Sequence, residues 1–547
     1  MSKIASYLQA HLSGEVLETA SILDQLSTDA SVLMLKPTMA IYPRTTNDIR
    51  KTARFSWQLA EKGHKLPITA RGSGTDQTGA AIGKGIVMVF PAHMNKILEL
   101  DSQQKLVRVQ PGVNFQSLQE TLQTHGLHIP VFPASYKYST IGGAIANNAY
   151  GEKSLKYGSI AEWIDKLEVV LANGELIQTG RISRKEVEKK KGLTTLEGEI
   201  YRAVDGILTE NTETLDKYYD KLHVTKDNIG YALASVREQD GSIDLTQLFV
   251  GSQGTLGIIS EAILRADLYD PASELVVASF ESLDSMREVV ERLRNLGASS
   301  LEIIDDNLLE FVKKQQSVAP PDELAGPDFV PRYMLFAEFD GIGKIKSKKV
   351  KQAVKVLRAY TSRLVSTNDY DEKERYTALR HAASSAVLNY EQAGKVALPI
   401  IDDAAVSLER IEEFLQSIYD IFDKYKLPAM VWGHVGDGNL HVQPFLDLKK
   451  LGDRQKVFKL MEEYYKQVVG MGGTISAEQG DGRLRAPFVK LQTGEDMLGL
   501  YEAVKAGFDS QGILNPGVKL GTEPKQLVEM LRKEYTLAHL ANHMPRL

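Results

Sequence analysis

Hydrophobic and polar positions follow helical and strand-like periods in turn along the first half of the chain. Apolar residues recur at helical spacing from Ile49 to Ala60, which predicts an amphipathic helix that is capped by Thr46 and ends at Gly63. A short apolar strand is predicted at 66–70, and a glycine-rich stretch, 71–85, follows it. Further strands are predicted at 86–90, 105–109, 167–171, 175–179 and 247–250. Asn173 and Gly174 separate two of these strands and predict a two-residue hairpin turn.

Beyond about residue 270 the pattern changes to strands and helices in closer alternation. Strands are predicted at 274–280, 300–304 and 333–339, helices at 283–296 and 346–360, and a loop rich in Pro and Asp at 317–331. This spacing predicts a second α+β unit with an antiparallel sheet.

The polar and apolar residues at the two ends of the chain indicate whether these segments could interact with a membrane. Glu15, Glu18 and Asp24 interrupt the N-terminal segment, so a signal peptide is not expected. No run of about 18 apolar residues occurs, so no transmembrane helix is expected and the predicted location is the cytoplasm. From Leu527 to Ala538, apolar residues recur at helical spacing, which predicts a tail helix. That helix either docks on the body of the protein or contacts a membrane surface or a partner.

The composition of the 547-residue chain excludes several classes of cofactor and binding partner. The net charge is −6, which gives no support for nucleic-acid binding. There is no cysteine, which excludes disulfides, thiolate metal sites, iron–sulfur clusters and cysteine-linked cofactors. Any metal must therefore be held by His, Asp or Glu, and redox chemistry requires a bound cofactor.

Three glycine-rich segments lie in the first half of the chain, at 71–79, 139–158 and 251–259. Closely spaced glycines let backbone N–H groups converge on a pyrophosphate. Each segment alone is also typical of a structural turn, and the first is neither a GxGxxG motif nor a Walker loop. Three of them in one predicted domain indicate a large phosphate-bearing cofactor.

A histidine-bearing motif, GHVGDGNLH, lies between two apolar stretches at 433–441. Asp437 and Gly438 turn the chain, so His434 and His441 can face each other across a hairpin. Paired imidazoles are typical zinc or manganese ligands, and Glu478 is the candidate third ligand. A structural role for each histidine is the alternative.

Together these motifs resemble the flavoprotein family with a PCMH-type FAD-binding domain. That family includes D-lactate dehydrogenase, D-2-hydroxyglutarate dehydrogenase and the glycolate oxidase flavin subunit. The resemblance runs from about Lys36 to Gly521 and rests on RGSGT, STIGGAIANNAYGEKSLKYGS, LFVGSQGTLGIIS, GHVGDGNLH and GILNPGVKL, with Gln253 where the family usually has Glu. It implies non-covalent FAD bound by Arg71, Gly72, Ser73, Gly74, Thr75, Gly79, Pro133, Ser139, Thr140, Gly142, Gly143, Asn148, Gly151, Ser154, Tyr157, Gly158, Gly257, Ile259 and Asn515.

The resemblance also implies the catalytic residues. His434, His441 and Glu478 would hold a divalent metal, zinc or manganese, and Arg380 would bind the substrate carboxylate. Lys395 and Asn439 would contact the substrate; taken alone, Arg380 favours a surface salt bridge and Lys395 is undecided. Gln479 occupies the position of the family's general-base histidine, and an amide cannot accept the proton. A metal-activated water and direct metal binding of the substrate hydroxyl both stay open as replacements.

The resemblance therefore predicts an α+β fold, with a two-part PCMH-type FAD-binding domain and an inserted ferredoxin-like substrate or cap domain. The predicted divisions are an N-terminal helical segment (1–35), the FAD domain (36–270), the cap domain with the metal site (271–495) and a returning C-terminal segment with its tail helix (496–547). The predicted activity is FAD-dependent oxidation of a D-2-hydroxy acid, D-lactate or similar, to the 2-oxo acid.

Two alternatives to this activity stay open: a flavin-binding protein whose chemistry is altered at Gln479, and a reaction of the alkyl-dihydroxyacetonephosphate synthase type. Beyond the hydroxy acid, the expected partner is an external electron acceptor: a quinone, a cytochrome, an electron-transfer flavoprotein or oxygen. A homodimer and a peripheral membrane contact through the C-terminal helix are also open.

Overall fold

The structure, a computed structural model, describes residues 1–314, 323–325, 329, 331–341, 343–388, 391–392 and 394–541. Most of the loop predicted at 317–331 and the last six residues of the predicted C-terminal segment, 542–547, lie outside these ranges. Among the described residues, no helix has both the length and the apolar character needed to cross a membrane.

Helices in the described ranges are numbered α1 to α19 in chain order. They are Lys3–His11, Ala20–Gln25, Thr46–Glu61, Phe115–Gln123, Ile141–Ala146, Ser154–Tyr157, Arg184–Lys191, Leu196–Glu210, Thr212–Tyr219, Thr246–Phe249, Met286–Asn295, Asp306–Lys314, Gly343–Leu357, Tyr370–Leu388, Ile411–Tyr425, Leu451–Gly470, Val489–Phe508, Pro524–Met530 and Ala538–Ala541.

Strands are numbered β1 to β23 in the same way. They are Glu15–Leu17, Met39–Tyr42, Ile68–Arg71, Ile86–Val89, Ile97–Asp101, Leu106–Val109, Leu127–His128, Ile164–Val170, Leu176–Gln178, Arg181–Ile182, Ile243–Asp244, Ile258–Arg265, Asp267–Leu268, Ser273–Phe280, Ser300–Asp305, Tyr333–Asp340, Leu364–Thr367, Glu391–Gln392, Lys395–Ala397, Ala404–Ala405, Val431–His434, Asn439–Val442 and Phe445–Leu446.

Two larger sheets and two two-stranded ones, β10-β11 and β13-β7, lie in the first half of the described chain. One of the larger sheets has the order β1-β2-β4-β3, with β2 and β3 both parallel to β4. The other larger sheet is antiparallel, with the order β5-β6-β12-β8-β9. A hairpin joins β8 to β9 around Asn173 and Gly174 as predicted, but its turn is longer than two residues, because 171–175 separate the paired Val170 and Leu176; Gly174 has a positive φ of +84°.

A seven-stranded antiparallel sheet organises the second half, with the order β17-β14-β16-β15-β21-β22-β20. Its first four members follow the chain as β14-α11-β15-β16-α13-β17, which is a β-α-β-β-α-β unit of ferredoxin-like type. Helix α12 lies between β15 and β16, and β21, β22 and β20 extend the sheet at the β15 edge. The α+β class and the ferredoxin-like cap are therefore confirmed.

Three local predictions are corrected. The strand predicted at 247–250 is the helical turn α10, and the chain enters it through a local turn in which the Asp244 carboxylate accepts from the Thr246 N–H. The N-terminal segment is not wholly helical, because Glu15–Leu17 pairs with β2. Helix α3 is capped one residue earlier than predicted, by the Thr45 hydroxyl, which accepts from the Asp48 N–H.

The predicted single tail helix is also wrong. Helices α18 and α19 are separated by an extended stretch at Leu531 that pairs with Leu33. Leu527 and Leu531 are buried against the body of the protein. The stretch is extended because the Arg532 N–H donates to the Val32 carbonyl across the chain, in place of a helical partner. The tail therefore docks on the body, which was one of the two alternatives.

Candidate active site

A short hairpin brings the two histidines of the 433–441 motif together. Strands β21 and β22 pair antiparallel, with His434 opposite Asn439 and Trp432 opposite His441. Gly438 at the turn has a φ of +66°, and a Cβ there would overlap the Val406 carbonyl oxygen. Glycine is therefore required for the hairpin to close. The imidazole centroids of His434 and His441 lie 5.2 Å apart, with their planes at 86°.

Glu478 completes a cluster of three possible metal ligands. Its Oε1 lies 3.4 Å from His434 Nε2, and its Oε2 lies 4.0 Å from His441 Nε2. One ligand atom from each of the three residues falls within 4.8 Å of the others. The predicted triad is thus assembled from a hairpin and from a segment more than 35 residues further along the chain.

Both imidazoles are oriented by carboxylates on their far side. His434 Nδ1 lies 2.7 Å from Glu302 Oε1, and His441 Nδ1 lies 2.8 Å from Asp402 Oδ1. Such contacts place the proton on Nδ1 and leave Nε2 as the ligand atom, an arrangement that recurs around protein-bound metals. Because both Nε2 atoms face one carboxylate, this donor set fits a divalent cation of the zinc or manganese type.

The charged groups of the cluster shift one another's pKa values. Burial lowers the pKa of His434, but the Glu302 and Glu478 carboxylates raise it to about 10. Burial raises the pKa of Glu478, but the Lys226 ammonium and the His434 imidazole hold it well below its ordinary value. The site is thus a buried group of charges that neutralise one another.

Arg380 lies beside this cluster and is joined to it through Glu302. Its Nη2 and Nε donate to Glu302 Oε2 at 2.6 and 3.1 Å, while the other oxygen of Glu302 contacts His434. The Arg380 side chain is only 7% exposed, so it is not the surface salt bridge that the residue alone favours.

The other candidate catalytic residues differ in position. Asn439 is buried, and its amide donates to the Ala404 carbonyl at 3.0 Å. Gln479 follows the ligand Glu478, and its Oε1 is buried without a hydrogen-bond partner among the described residues. Lys395 lies exposed on β19, where its positive charge helps to lower the pKa of Asp453. No contact within the described part of the chain joins Lys395 to the cluster.

The three glycine-rich segments lie in contact with one another. A Cβ at Gly72 would overlap Thr140 Oγ1, so the first and second segments are in close contact. The Gly251 N–H donates to the Ile145 carbonyl, and the Gln253 N–H to the Ala146 carbonyl, which joins the third segment to the second.

Arg71 provides the test of whether this cradle suits a pyrophosphate. Its Nε and Nη2 are buried without a partner among the described residues, and a Cβ at Gly74 would overlap Nη2. A buried cation with unused donors under a glycine loop suits an anionic group. The cradle therefore fits FAD.

Several predicted FAD residues have partners within the protein. The Asn515 amide donates to the carbonyls of Ala80 and Gln253, both at 2.8 Å. The Ser154 hydroxyl accepts from the Gly151 N–H, and the Tyr157 hydroxyl donates to Asp340. Asn515 and Tyr157 thus tie segments together. Direct FAD contact stays a prediction for these residues and for the others implied by the resemblance.

Sequence patterns missed the residues that surround the ligands. Glu302, Asp402 and Lys226 all contact a ligand residue of the cluster. Two of them carried a usable signal: Glu302 lies between Leu301 and Ile303 in strand β15, and Asp402 is the first of two consecutive aspartates after an apolar run. A charge within a buried strand requires a partner, so both can be flagged from sequence. Lys226 carries no such pattern.

Comparison with known proteins agrees with this geometry. The family model described as "FAD binding domain" matches residues 37–180, and that described as "FAD linked oxidases, C-terminal domain" matches residues 270–518. Glycolate oxidase subunit GlcD of Bacillus subtilis (strain 168) is 29% identical over 90% of this chain and 91% of its own length. D-lactate dehydrogenase of Anaerostipes hadrus is 27% identical over 88% of this chain and 90% of its own length.

Other relatives are longer or share the fold alone. D-2-hydroxyglutarate dehydrogenase of Pantoea ananatis (strain AJ13355) is 29% identical over 90% of this chain, which spans only 49% of that relative. Among solved structures, p-cresol methylhydroxylase with bound substrate has a TM-score of 0.68 at 16% identity, covering 94% of this chain and 96% of its own. With the FAD-fitting cradle and the two matched domains, these likenesses show that the chain belongs to the FAD-linked oxidoreductase family with a PCMH-type FAD-binding domain.

Proposed function

We propose that this protein oxidises a D-2-hydroxy acid, D-lactate or a similar acid, to the 2-oxo acid with metal assistance. In this reaction the hydride on Cα passes to the flavin, the hydroxyl loses a proton, and a C=O bond forms. The observation that carries the proposal is the His434–His441–Glu478 cluster, held by two outer carboxylates. Relatives named D-lactate dehydrogenase and D-2-hydroxyglutarate dehydrogenase support the substrate class.

Arg380 is the candidate for binding the substrate carboxylate. One oxygen of Glu302 accepts hydrogen bonds from both Nε and Nη2 of Arg380. Neither of these two bonds involves Nη1 on the other edge of the guanidinium. A planar guanidinium pairs well with a carboxylate. Because Glu302 also contacts His434, the bound acid would lie beside the cluster with its hydroxyl towards the ligands.

When bound, FAD accepts the hydride and a divalent cation at the cluster lowers the pKa of the hydroxyl. The protein residues orient the acid and exclude water, since His434, His441 and Asn439 are all buried. Gln479 follows Glu478 with its Oε1 buried; an amide can accept a hydrogen bond there but cannot take the proton. An external acceptor then reoxidises the flavin, and its identity among quinone, cytochrome, electron-transfer flavoprotein and oxygen stays open.

Anaerobic reduction of the bound flavin tests the proposal. The holoprotein is mixed with D-lactate, D-2-hydroxyglutarate or glycolate, with L-lactate as the stereochemical control, and the visible flavin absorbance is followed. We expect at least one acid to bleach the flavin. Removal of metal with a chelator should slow bleaching at least about tenfold, and zinc or manganese should restore it. A broad panel of 2-hydroxy acids without bleaching contradicts the proposal and favours a reaction of the alkyl-dihydroxyacetonephosphate synthase type.

Gln479 supports a second candidate, a flavin-binding protein with weakened chemistry. The variant Gln479→His separates the two candidates by stopped-flow measurement of flavin reduction. If the protein is an active dehydrogenase that does not need a base at this position, we expect less than about a threefold change in the reduction rate. A gain of about a hundredfold, the usual contribution of a general base, would instead show that Gln479 makes flavin reduction slow in the wild type.

A further inference from the structure

The segment Thr225–Gly230 connects parts of the molecule that are far apart in sequence. The Thr225 hydroxyl lies 3.1 Å from Asp437 Oδ1 in the histidine hairpin. The Asn228 amide donates to the Glu478 carbonyl at 2.8 Å and to the Asn147 carbonyl at 3.1 Å, the latter in the second glycine-rich segment. The segment thus joins the predicted FAD cradle to both parts of the metal cluster.

Lys226 is the charged residue of this segment that reaches the cluster. Its Nζ lies 2.6 Å from Glu478 Oε1 and 3.0 Å from Asp437 Oδ2, and its side chain is only 2% exposed. The same Glu478 oxygen lies 3.4 Å from His434 Nε2. One carboxylate oxygen is therefore shared between an internal ammonium and the face of the cluster where a cation would bind.

A cation in this position has two opposed consequences. It orients the Glu478 carboxylate and balances its charge in a buried place where an unpaired carboxylate is costly. It also repels any divalent cation that approaches the same carboxylate, and this repulsion is strong where water is excluded. Asp437 gives the ammonium a second partner, so Lys226 can keep one ion pair when Glu478 turns to a metal.

We propose that Lys226 is a positioning residue for Glu478 and an internal counter-cation that lowers the affinity of the cluster for divalent metal. This proposal rests on the metal role proposed above. The proposal predicts the direction in which the metal affinity changes when Lys226 is replaced. Loss of a merely structural residue loosens a metal site and weakens binding, whereas loss of a competing cation strengthens it.

Zinc affinity of the FAD-loaded, chelator-treated protein tests the proposal. Binding is measured by competition with a fluorescent zinc chelator at pH 8, for the wild type, Lys226→Met and Lys226→Arg. We expect Lys226→Met to bind zinc at least about tenfold more tightly than the wild type, because the like charge is gone. Lys226→Arg keeps the charge and should stay within about threefold of the wild type.

Lys505→Met is the matched control, because Lys505 is a partly buried lysine paired with a carboxylate, Asp509, at 2.6 Å. Its zinc affinity should equal that of the wild type. If Lys226→Met does not accumulate as folded protein, Lys226→Gln is judged by the same threshold. Equal or weaker zinc binding by the Lys226 variant overturns the role of Lys226 while leaving the metal site intact. A wild type that binds neither zinc nor manganese overturns both proposals.

Discussion

At the level of single residues, the two oxygens of the Glu302 carboxylate have separate partners. Oε1 contacts His434 Nδ1 and Oε2 accepts from the Arg380 guanidinium. Glu302 is buried, and the His434 and Arg380 charges lower its pKa although burial raises it. One carboxylate therefore orients a candidate metal ligand and the candidate substrate-binding arginine together, which couples metal affinity to substrate binding.

Replacing Glu302 tests this coupling. Glu302→Gln keeps the shape of the side chain but removes its charge, so His434 and Arg380 lose their shared anion. We expect zinc affinity to fall about 10- to 100-fold, the usual effect of losing a partner behind a metal ligand. Chelator competition measures it. Glu288→Gln, at an exposed carboxylate on α11, is the control and should leave zinc affinity unchanged. An unchanged affinity in Glu302→Gln would contradict the role of Glu302.

At the level of elements, the hairpin of β21 and β22 depends on one glycine. Gly438 has a left-handed φ, and the Val406 carbonyl leaves no room for a Cβ. The same hairpin carries His434 at the end of one strand and His441 within the other. A strained turn would therefore move two of the three candidate ligands at once.

The variant Gly438→Ala should destabilise the protein and damage the cluster together. We expect a loss of about 2 kcal/mol or more, from the left-handed φ and the overlap with Val406. Thermal unfolding followed by circular dichroism measures the loss, and zinc binding should weaken in parallel. Gly499→Ala on α17 is the control, because a Cβ there meets nothing within 4 Å. It should be neutral or stabilising by up to about 1 kcal/mol.

At the level of the whole molecule, the C-terminal segment covers the first glycine-rich loop from outside. Arg532 is buried and donates to the carbonyls of Asp29 and Ser31. Ala30, which lies between Asp29 and Ser31, donates its N–H to the Gly74 carbonyl at 3.0 Å. The tail lies beyond residue 518, where the family match ends. The two chain ends therefore support the predicted FAD loop together.

Removing this support should loosen FAD. Arg532→Ala leaves buried carbonyls without their donor, and we expect FAD to dissociate about tenfold faster than from the wild type. The rise of flavin fluorescence after dilution measures the rate. Lys533→Ala, at the exposed neighbouring residue, should release FAD at the wild-type rate. Identical release from the two variants would show that the tail does not support the loop.

The stability of the whole molecule should also carry a pH dependence from Asp305. Burial raises the pKa of this carboxyl to about 7, although the Leu308 N–H and the Tyr419 hydroxyl both donate to it. The folded protein therefore holds the proton more tightly than the unfolded chain. The stabilisation that Asp305 contributes through its bound proton is fully present below about pH 4 and is lost as the pH rises to about 7.

Asp305→Asn removes that titration while keeping an acceptor for the Leu308 N–H. We expect its thermal midpoint to rise relative to the wild type between pH 5 and pH 8, with an effect on the order of a few kcal/mol. Asp371→Asn, at an exposed residue on α14, is the control and should show no such trend. A constant difference between wild type and Asp305→Asn at all pH values would contradict the expectation.

Local patterns account for the parts of the site that are close in sequence. The hairpin that brings His434 close to His441 follows from Asp437 and Gly438, because a turn is decided by the residues within it. Glycine spacing likewise predicted the cradle, and strand and helix periods predicted most elements. The strand predicted at 247–250 is wrong because a short apolar run does not distinguish a strand from a helical turn.

By itself, the sequence determined the two α+β units, the zero-cysteine limit on cofactors and the candidate ligands. Only the tertiary structure decided which charged residues contact those ligands. Glu302 and His434 are 132 residues apart, and Lys226 and Glu478 are 252 residues apart. A buried charge must find an opposite charge in space, and no local period records where that partner lies in the chain. The network of Glu302, Asp402 and Lys226 is therefore a property of the fold.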